Sequence, residues 1–271
     1  MNLRTLRTPL ALLATAVLAL TGCATPAPDA APAGTAEPTR SEQSAAPELT
    51  GTLVVLAAAS LTDVFTELAA QLEAENPGLT VETSFAASSA LATQVVSGAP
   101  ADVLVTASPA TMATATDVVG GEPVVVATNR LQIAVPAGNP GGVTSLADLA
   151  DPALTIALCA PEVPCGAVGA KVLENAGVTA APDTLEQDVR AVLTRLQLDE
   201  ADAGLVYRTD VIAAGGDVEG IDVPDDVQVP TDYPALALPD APNPQAAAAF
   251  VALLTGPVGR QAFQDAGFDV P

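Results

Sequence analysis

Short apolar runs that read as strands alternate with longer stretches that read as helices along most of this chain, and that alternation restricts it to a few folds. Thr52 to Ala57 is apolar, and a helical pattern follows from about Leu61 to Glu75 until Asn76-Pro77-Gly78 stops it. Thr80 to Phe85 predicts a second strand, Ser89 to Ser97 a helix, and Asp102 to Thr106 a third strand. The β-branched runs Val124 to Ala127 and Leu131 to Val135 suit a passage from one part of the fold to another. Beyond them the pattern predicts a strand at Leu154 to Leu158, helices at about Ala167 to Ala176 and Val189 to Leu198, and a strand at Ala203 to Tyr207. Ala235 to Leu238 suits a return, and helices at about Gln245 to Leu254 and Val258 to Asp265 close the chain. Strand followed by helix, repeatedly, is the pattern of an α/β fold with a mainly parallel sheet.

Four strand ends share one design, in which a small or hydroxyl residue follows the strand and a helix begins. Ser60 precedes Leu61-Thr62-Asp63 and reads as a capping-box-like start. Ser88 and Ser89 stand before Ala90-Leu91, Pro164-Cys165-Gly166 opens the helix that holds Lys171, and Asp188-Val189-Arg190 opens the next. A helix start carries unpaired N–H groups and a partial positive charge, so several of them aimed into one crevice bind an anion without a formal cation. A serine at a helix start is otherwise only a cap.

The first residues point to export. Arg4 and Arg7 give a positive start, Pro9 to Leu20 is too short to span a bilayer, and Leu20-Thr21-Gly22-Cys23 ends the run in small residues. Residues 1–22 therefore read as a leader. The ending resembles a bacterial lipobox, which implies lipid on Cys23 and a protein held outside the cytoplasm at the membrane. An ordinary cleaved leader with an incidental Cys23 is the alternative. Residues 23–48 are rich in Ala, Pro, Thr, Glu and Ser and bury too little to order themselves, so they read as a flexible tether. The folded part, from about Leu49 to Pro271, suits one two-lobed unit.

Nine basic residues face 32 acidic ones, and two of the nine lie in the leader. That balance argues against nucleic acid. It does not exclude a small anion, because a surface field is screened within about 10 Å at ordinary salt. There is no histidine, which removes His-based metal sites and every Ser-His or Cys-His nucleophile. Cys159 and Cys165 lie six residues apart in an oxidising compartment and suit a disulfide; two free thiols are the alternative.

Ala57-Ala58-Ala59-Ser60-Leu61-Thr62-Asp63 resembles the opening motif of the periplasmic molybdate-binding proteins, and Ser84-Phe85-Ala86-Ala87-Ser88-Ser89-Ala90-Leu91 resembles their second serine motif. Gly98-Ala99-Pro100-Ala101-Asp102-Val103 is similar to their lead into a third strand. Pro161 to Gly166, Glu186 to Arg190, Gly204 to Tyr207, Gly256-Pro257, Phe263 and Gly267-Phe268 follow in family order. The resemblance covers residues 50–270. It implies a type II periplasmic binding protein fold, in which two α/β lobes close over a ligand cleft. Lobe I would comprise 49–128 and a return segment at 233–271, and lobe II 129–232.

Carried over residue by residue, the resemblance assigns the oxyanion to Ser60 and Ser88 through hydroxyl and backbone, to the N–H groups of Cys165 and Val189, and to the phenol of Tyr207. Cys165 departs from the family, which often has Ala there; a main-chain donor tolerates that change. Arg190 suits a surface or inter-lobe role better than an anion clamp. The implied function is a monomeric, cofactor-free receptor that delivers molybdate or tungstate to the permease of an ABC importer. A donor-only site suits a tetrahedral dianion and disfavours a protonated one, while sulfate differs mainly in size. Other readings are a sulfate receptor, an enzyme using Cys165 or a serine with Lys171 as base, and an adhesion protein. The absence of histidine opposes the enzyme.

Overall fold

In a computed structural model of the protein, which describes residues 48–271, β1 (Thr50–Ala58) lies between β2 (Gly78–Ala86) and β3 (Val103–Val105), parallel to both. Helices cover both faces of β1, which is why it reads as a continuous apolar run rather than an alternation. Leu53, Val55 and Ala57 pack in one layer and Leu56 in the other. β10 (Thr231–Ala237) runs antiparallel to β3 and to β4 (Val124–Asn129), giving the order β2-β1-β3-β10-β4. The leader and Cys23 lie outside the described residues, as does all of the expected tether except Glu48.

The second sheet repeats this plan. β6 (Ile156–Cys159) lies between β7 (Thr184–Glu186) and β8 (Ala203–Tyr207), parallel to both. β5 (Leu131–Pro136) runs antiparallel to β8 and to β9 (Val218–Asp222), in the order β7-β6-β8-β5-β9. In each sheet, then, one strand runs against the other four. The chain passes from β4 to β5 over Arg130 alone and returns from β9 to β10 over residues 223–230. The fold is α/β, with two lobes.

Helices fill the connections, as parallel strands require. A 3-10 turn, Ala59–Leu61, leads into α1 (Thr62–Glu75), which buries Val64, Phe65, Leu68 and Leu72 at helical spacing. α2 (Ser88–Val96) and α3 (Pro109–Val119) follow β2 and β3. In the second lobe α4 (Pro164–Ala176), α5 (Val189–Gln197) and α6 (Arg208–Ala214) follow β6, β7 and β8. α7 (Pro244–Thr255) and α8 (Pro257–Asp265) return to the first lobe, where Phe250 and Phe263 pack on Phe65 with ring centroids 5.4 and 6.2 Å away. The sequence pattern does not mark α3, β7, α6 or β9. Among the described residues no helix is long and apolar enough to cross a membrane.

Candidate functional site

Parallel strands end together, and here three strand ends from each sheet meet at one crevice. The first sheet supplies Ala58-Ala59-Ser60 after β1, Ala86-Ala87-Ser88 after β2 and Ala107 after β3; the second supplies Val163-Pro164-Cys165, Asp188-Val189 and Tyr207. This is where open α/β sheets bind ligands. These residues enclose about 20 Å³, measured as space open to the centre of a water-sized sphere. One water needs about 10–15 Å³ on that measure. The cavity therefore suits a single compact ligand and is too small for a sugar or a peptide.

All five residues singled out in the sequence line this cavity, and none is more than 5% exposed. Their immediate surroundings differ from a plain capping role. The sequence reads Ser60 as the start of a capping box, but it sits inside the 3-10 turn and caps nothing. Its Oγ lies 2.8 Å from the Tyr233 hydroxyl. Ser88 is the first residue of α2 rather than its cap, and its Oγ accepts from the Ala107 N–H at 3.0 Å.

The helix starts divide by location. Away from the crevice, Ser108 caps α3 and Asn243 caps α7, each accepting a first-turn N–H. At the crevice, the residues before the 3-10 turn, α2 and α4 are Ala58, Ala87 and Val163, none of which provides a side-chain cap. The N–H groups of Ser60, Ser88, Cys165 and Val189 have no hydrogen-bond partner among the described residues. Asp188 does cap α5, and it is the one carboxylate at the cavity among the described residues. It accepts from the Ala191 N–H at 2.9 Å, so it is engaged by its own helix.

Tyr207 is 1% exposed, and among the described residues its hydroxyl has no partner that meets hydrogen-bond geometry. It feels the neighbouring Tyr233 phenol, whose ring centroid is 6.0 Å away, without an aligned bond to it. Burial pushes its pKa well above the ordinary phenol value, with Tyr233 and Asp210 adding to the rise. The proton stays on, and the group is a donor.

Among the described residues no lysine or arginine lines the cavity. Arg190, next to Val189, turns away to bridge the lobes: one amino group pairs with Asp63 of α1, and Nε lies 3.0 Å from Asp210 Oδ1. The second contact is out of line for a hydrogen bond and is ionic. Cys159 at the end of β6 is joined by a disulfide to Cys165, with Cα atoms 5.8 Å apart. The sequence does not single out Ala107, or Tyr233 and Asn129 behind Ser60. Tyr233 carried one usable signal: a tyrosine in an apolar strand needs a partner for its hydroxyl.

Residues 53–269 match the model of the bacterial extracellular solute-binding protein family. The molybdate-binding protein ModA of Mycobacterium bovis is 36% identical over 257 residues, spanning 94% of each chain. Among solved structures, the periplasmic molybdate-binding protein of Azotobacter vinelandii superposes with a TM-score of 0.71 at 22% identity, covering 81% of this chain and 99% of that one. The sulfate-binding protein SubI of Mycobacterium tuberculosis gives a TM-score of 0.70 at 18% identity, covering 80% and 86%. Family match, full-length relative and fold agree: the chain belongs to the bacterial extracellular solute-binding proteins, which bind a solute and are not enzymes.

Proposed function

We propose that this protein captures molybdate or tungstate between its lobes and delivers it to the permease of an ABC importer, tethered to the membrane by lipid on Cys23. The observation that carries the reading is the Tyr207 hydroxyl, buried without a partner at a cavity of about 20 Å³ otherwise furnished with N–H and O–H donors. Ser60 and Ser88 donate from the first lobe, and the Cys165 and Val189 N–H groups with Tyr207 from the second. A compact dianion with four acceptor oxygens and no proton satisfies such a set. A cation or a neutral apolar solute does not. Uncapped helix starts supply the positive end, so no side-chain cation is needed. The name of the Mycobacterium bovis relative supports molybdate in particular.

On this reading the lobes close by bending at Arg130 and residues 223–230, and Asn129, Thr231 and Asp232, which lie in β4 and β10, move with the first lobe rather than with the second as the bounds 129–232 expected. A thermal-shift panel of molybdate, tungstate, sulfate and phosphate tests the claim. Ligand at a thousand times its dissociation constant stabilises the fold by about 4 kcal/mol. A shift with molybdate and tungstate is expected. A larger shift with sulfate moves the assignment to that dianion, and no shift with any of them sinks it. The anchor is checked separately: Cys23→Ser should release the protein from the membrane fraction.

A further inference from the structure

Behind Ser60 lies a buried chain of polar groups that reaches from the cavity to the crossing between the lobes. Tyr233 Oη is 2.8 Å from Ser60 Oγ, and the Asn129 amide nitrogen is 3.5 Å from Tyr233 Oη and 2.9 Å from Thr209 Oγ1. Tyr233 and Asn129 are fully buried; Ser60 and Thr209 are each 4% exposed. The direction of every hydrogen along this chain follows from one fixed point. The Arg130 N–H donates to Asn129 Oδ1 at 2.9 Å, which leaves the NH₂ side of the amide facing Tyr233 and Thr209. An amide NH₂ only donates. Tyr233 Oη therefore receives at a lone pair from Asn129, and since that amide nitrogen accepts nothing, Ser60 Oγ is the one acceptor within hydrogen-bond distance, among the described residues, for the Tyr233 hydrogen. Ser60, already accepting, has its hydrogen left for the cavity.

Resting on the oxyanion reading above, we propose that Tyr233, oriented by Asn129, is a positioning residue that commits Ser60 to donate and so makes the site reject anions that carry a proton. Ser88 reaches the same state by another route. Its Oγ accepts from the backbone N–H of Ala107, which no side-chain substitution removes. Tyr207 keeps its proton because it is buried. Ser60 is thus the hydroxyl whose polarity depends on replaceable side chains. Without the Tyr233 hydroxyl, its lone pairs are free and it can turn to accept a hydrogen from a protonated ligand.

The test compares affinities for molybdate and for inorganic phosphate, which retains a proton at neutral pH, by calorimetry. In Tyr233→Phe the ring keeps its edge contacts with Tyr207 and Phe268, at 6.0 and 5.3 Å between centroids. Molybdate affinity should fall, and the molybdate-to-phosphate ratio should narrow about tenfold, as loss of one hydrogen bond to a charged group allows. Asn129→Ala should narrow it in the same direction by less. Tyr207→Phe, which removes a donor without freeing an acceptor, should weaken both anions and leave the ratio in place. In a Ser60→Ala background, Tyr233→Phe should no longer change the ratio. A folded Tyr233→Phe protein with the wild-type ratio overturns the relay alone. Should Tyr233→Phe not fold, an unchanged ratio in Asn129→Ala overturns it instead. Wild-type protein that binds no oxyanion overturns the relay together with the reading beneath it.

Discussion

Leaving the Tyr207 hydroxyl buried without a partner costs about 1–3 kcal/mol, a cost that a ligand oxygen relieves. Tyr207→Phe should therefore leave the unliganded protein as stable as before, or more so, while weakening oxyanion binding about tenfold or more. Calorimetric unfolding and titration separate the two effects; destabilisation with unchanged affinity would make Tyr207 a core residue only. Asp210 is the other buried group out of balance. Burial pushes its carboxyl up to about 7, against the pull of Arg190 and of the Tyr207 N–H. In the unfolded chain it titrates near 3.8. Between those values the folded protein holds a proton that the unfolded chain has released, so stability falls as pH rises through that window. Below it the contribution is complete, and above about 7 it is gone. Unfolding followed from pH 4 to pH 8 should show wild type losing ground to Asp210→Asn up to about pH 7 and keeping a constant difference from it thereafter. Parallel curves across the whole range would contradict the assignment.

Helices decide the site because their first turns, more than their side chains, face the ligand. α4 is held most tightly at this end. A Cβ on Gly166 would stand 1.9 Å from the Ala160 carbonyl oxygen, so the helix start rests directly on the loop leaving β6. The Cys159–Cys165 disulfide ties the same loop shut. Closing so short a loop is worth about 2 kcal/mol in chain entropy. Replacing both cysteines by serine should cost about that much stability relative to wild type and also weaken molybdate binding, since the backbone N–H of residue 165 is then less well placed. Thiol labelling of native wild-type protein should find no reactive pair; two labelled cysteines would remove the argument. The strand-then-serine pattern at β1 and β2, the Pro164 start of α4 and the Tyr207 strand end were legible because each is local in sequence. The bonds of Ser60 were not, since its partner Tyr233 is 173 residues away. α3 escaped although Ser108-Pro109 is a good helix start, because its Thr-rich body has a weak apolar stripe and buries only Met112 and Ala115. α6 escaped because it begins on the residue after β8, without a loop. β9 has one buried residue, Val218, and so almost no pattern to read.

The whole molecule carries a formal charge of −23, yet the proposed ligand is a dianion. Donors inside the cavity act at contact distance, whereas the surface field acts over a Debye length of about 10 Å at 0.1 M salt. Encounter and capture are thus opposed in sign. Association of molybdate, followed by stopped flow, should accelerate as salt is raised towards 0.1 M, the reverse of a steered encounter. A rate that falls with salt would mean a positive path into the cleft. The two sheets also differ in how they can be completed. The second is whole once residues 131–222 are present, but the first has a gap between β3 and β4 until β10 arrives. A chain emerging N-terminus first therefore finishes its later half before its earlier one. In that interval β3 and β4 each present an open edge to whatever strand comes near. The half made first is the half that waits, and any helper that shields nascent chains on export has most to do there.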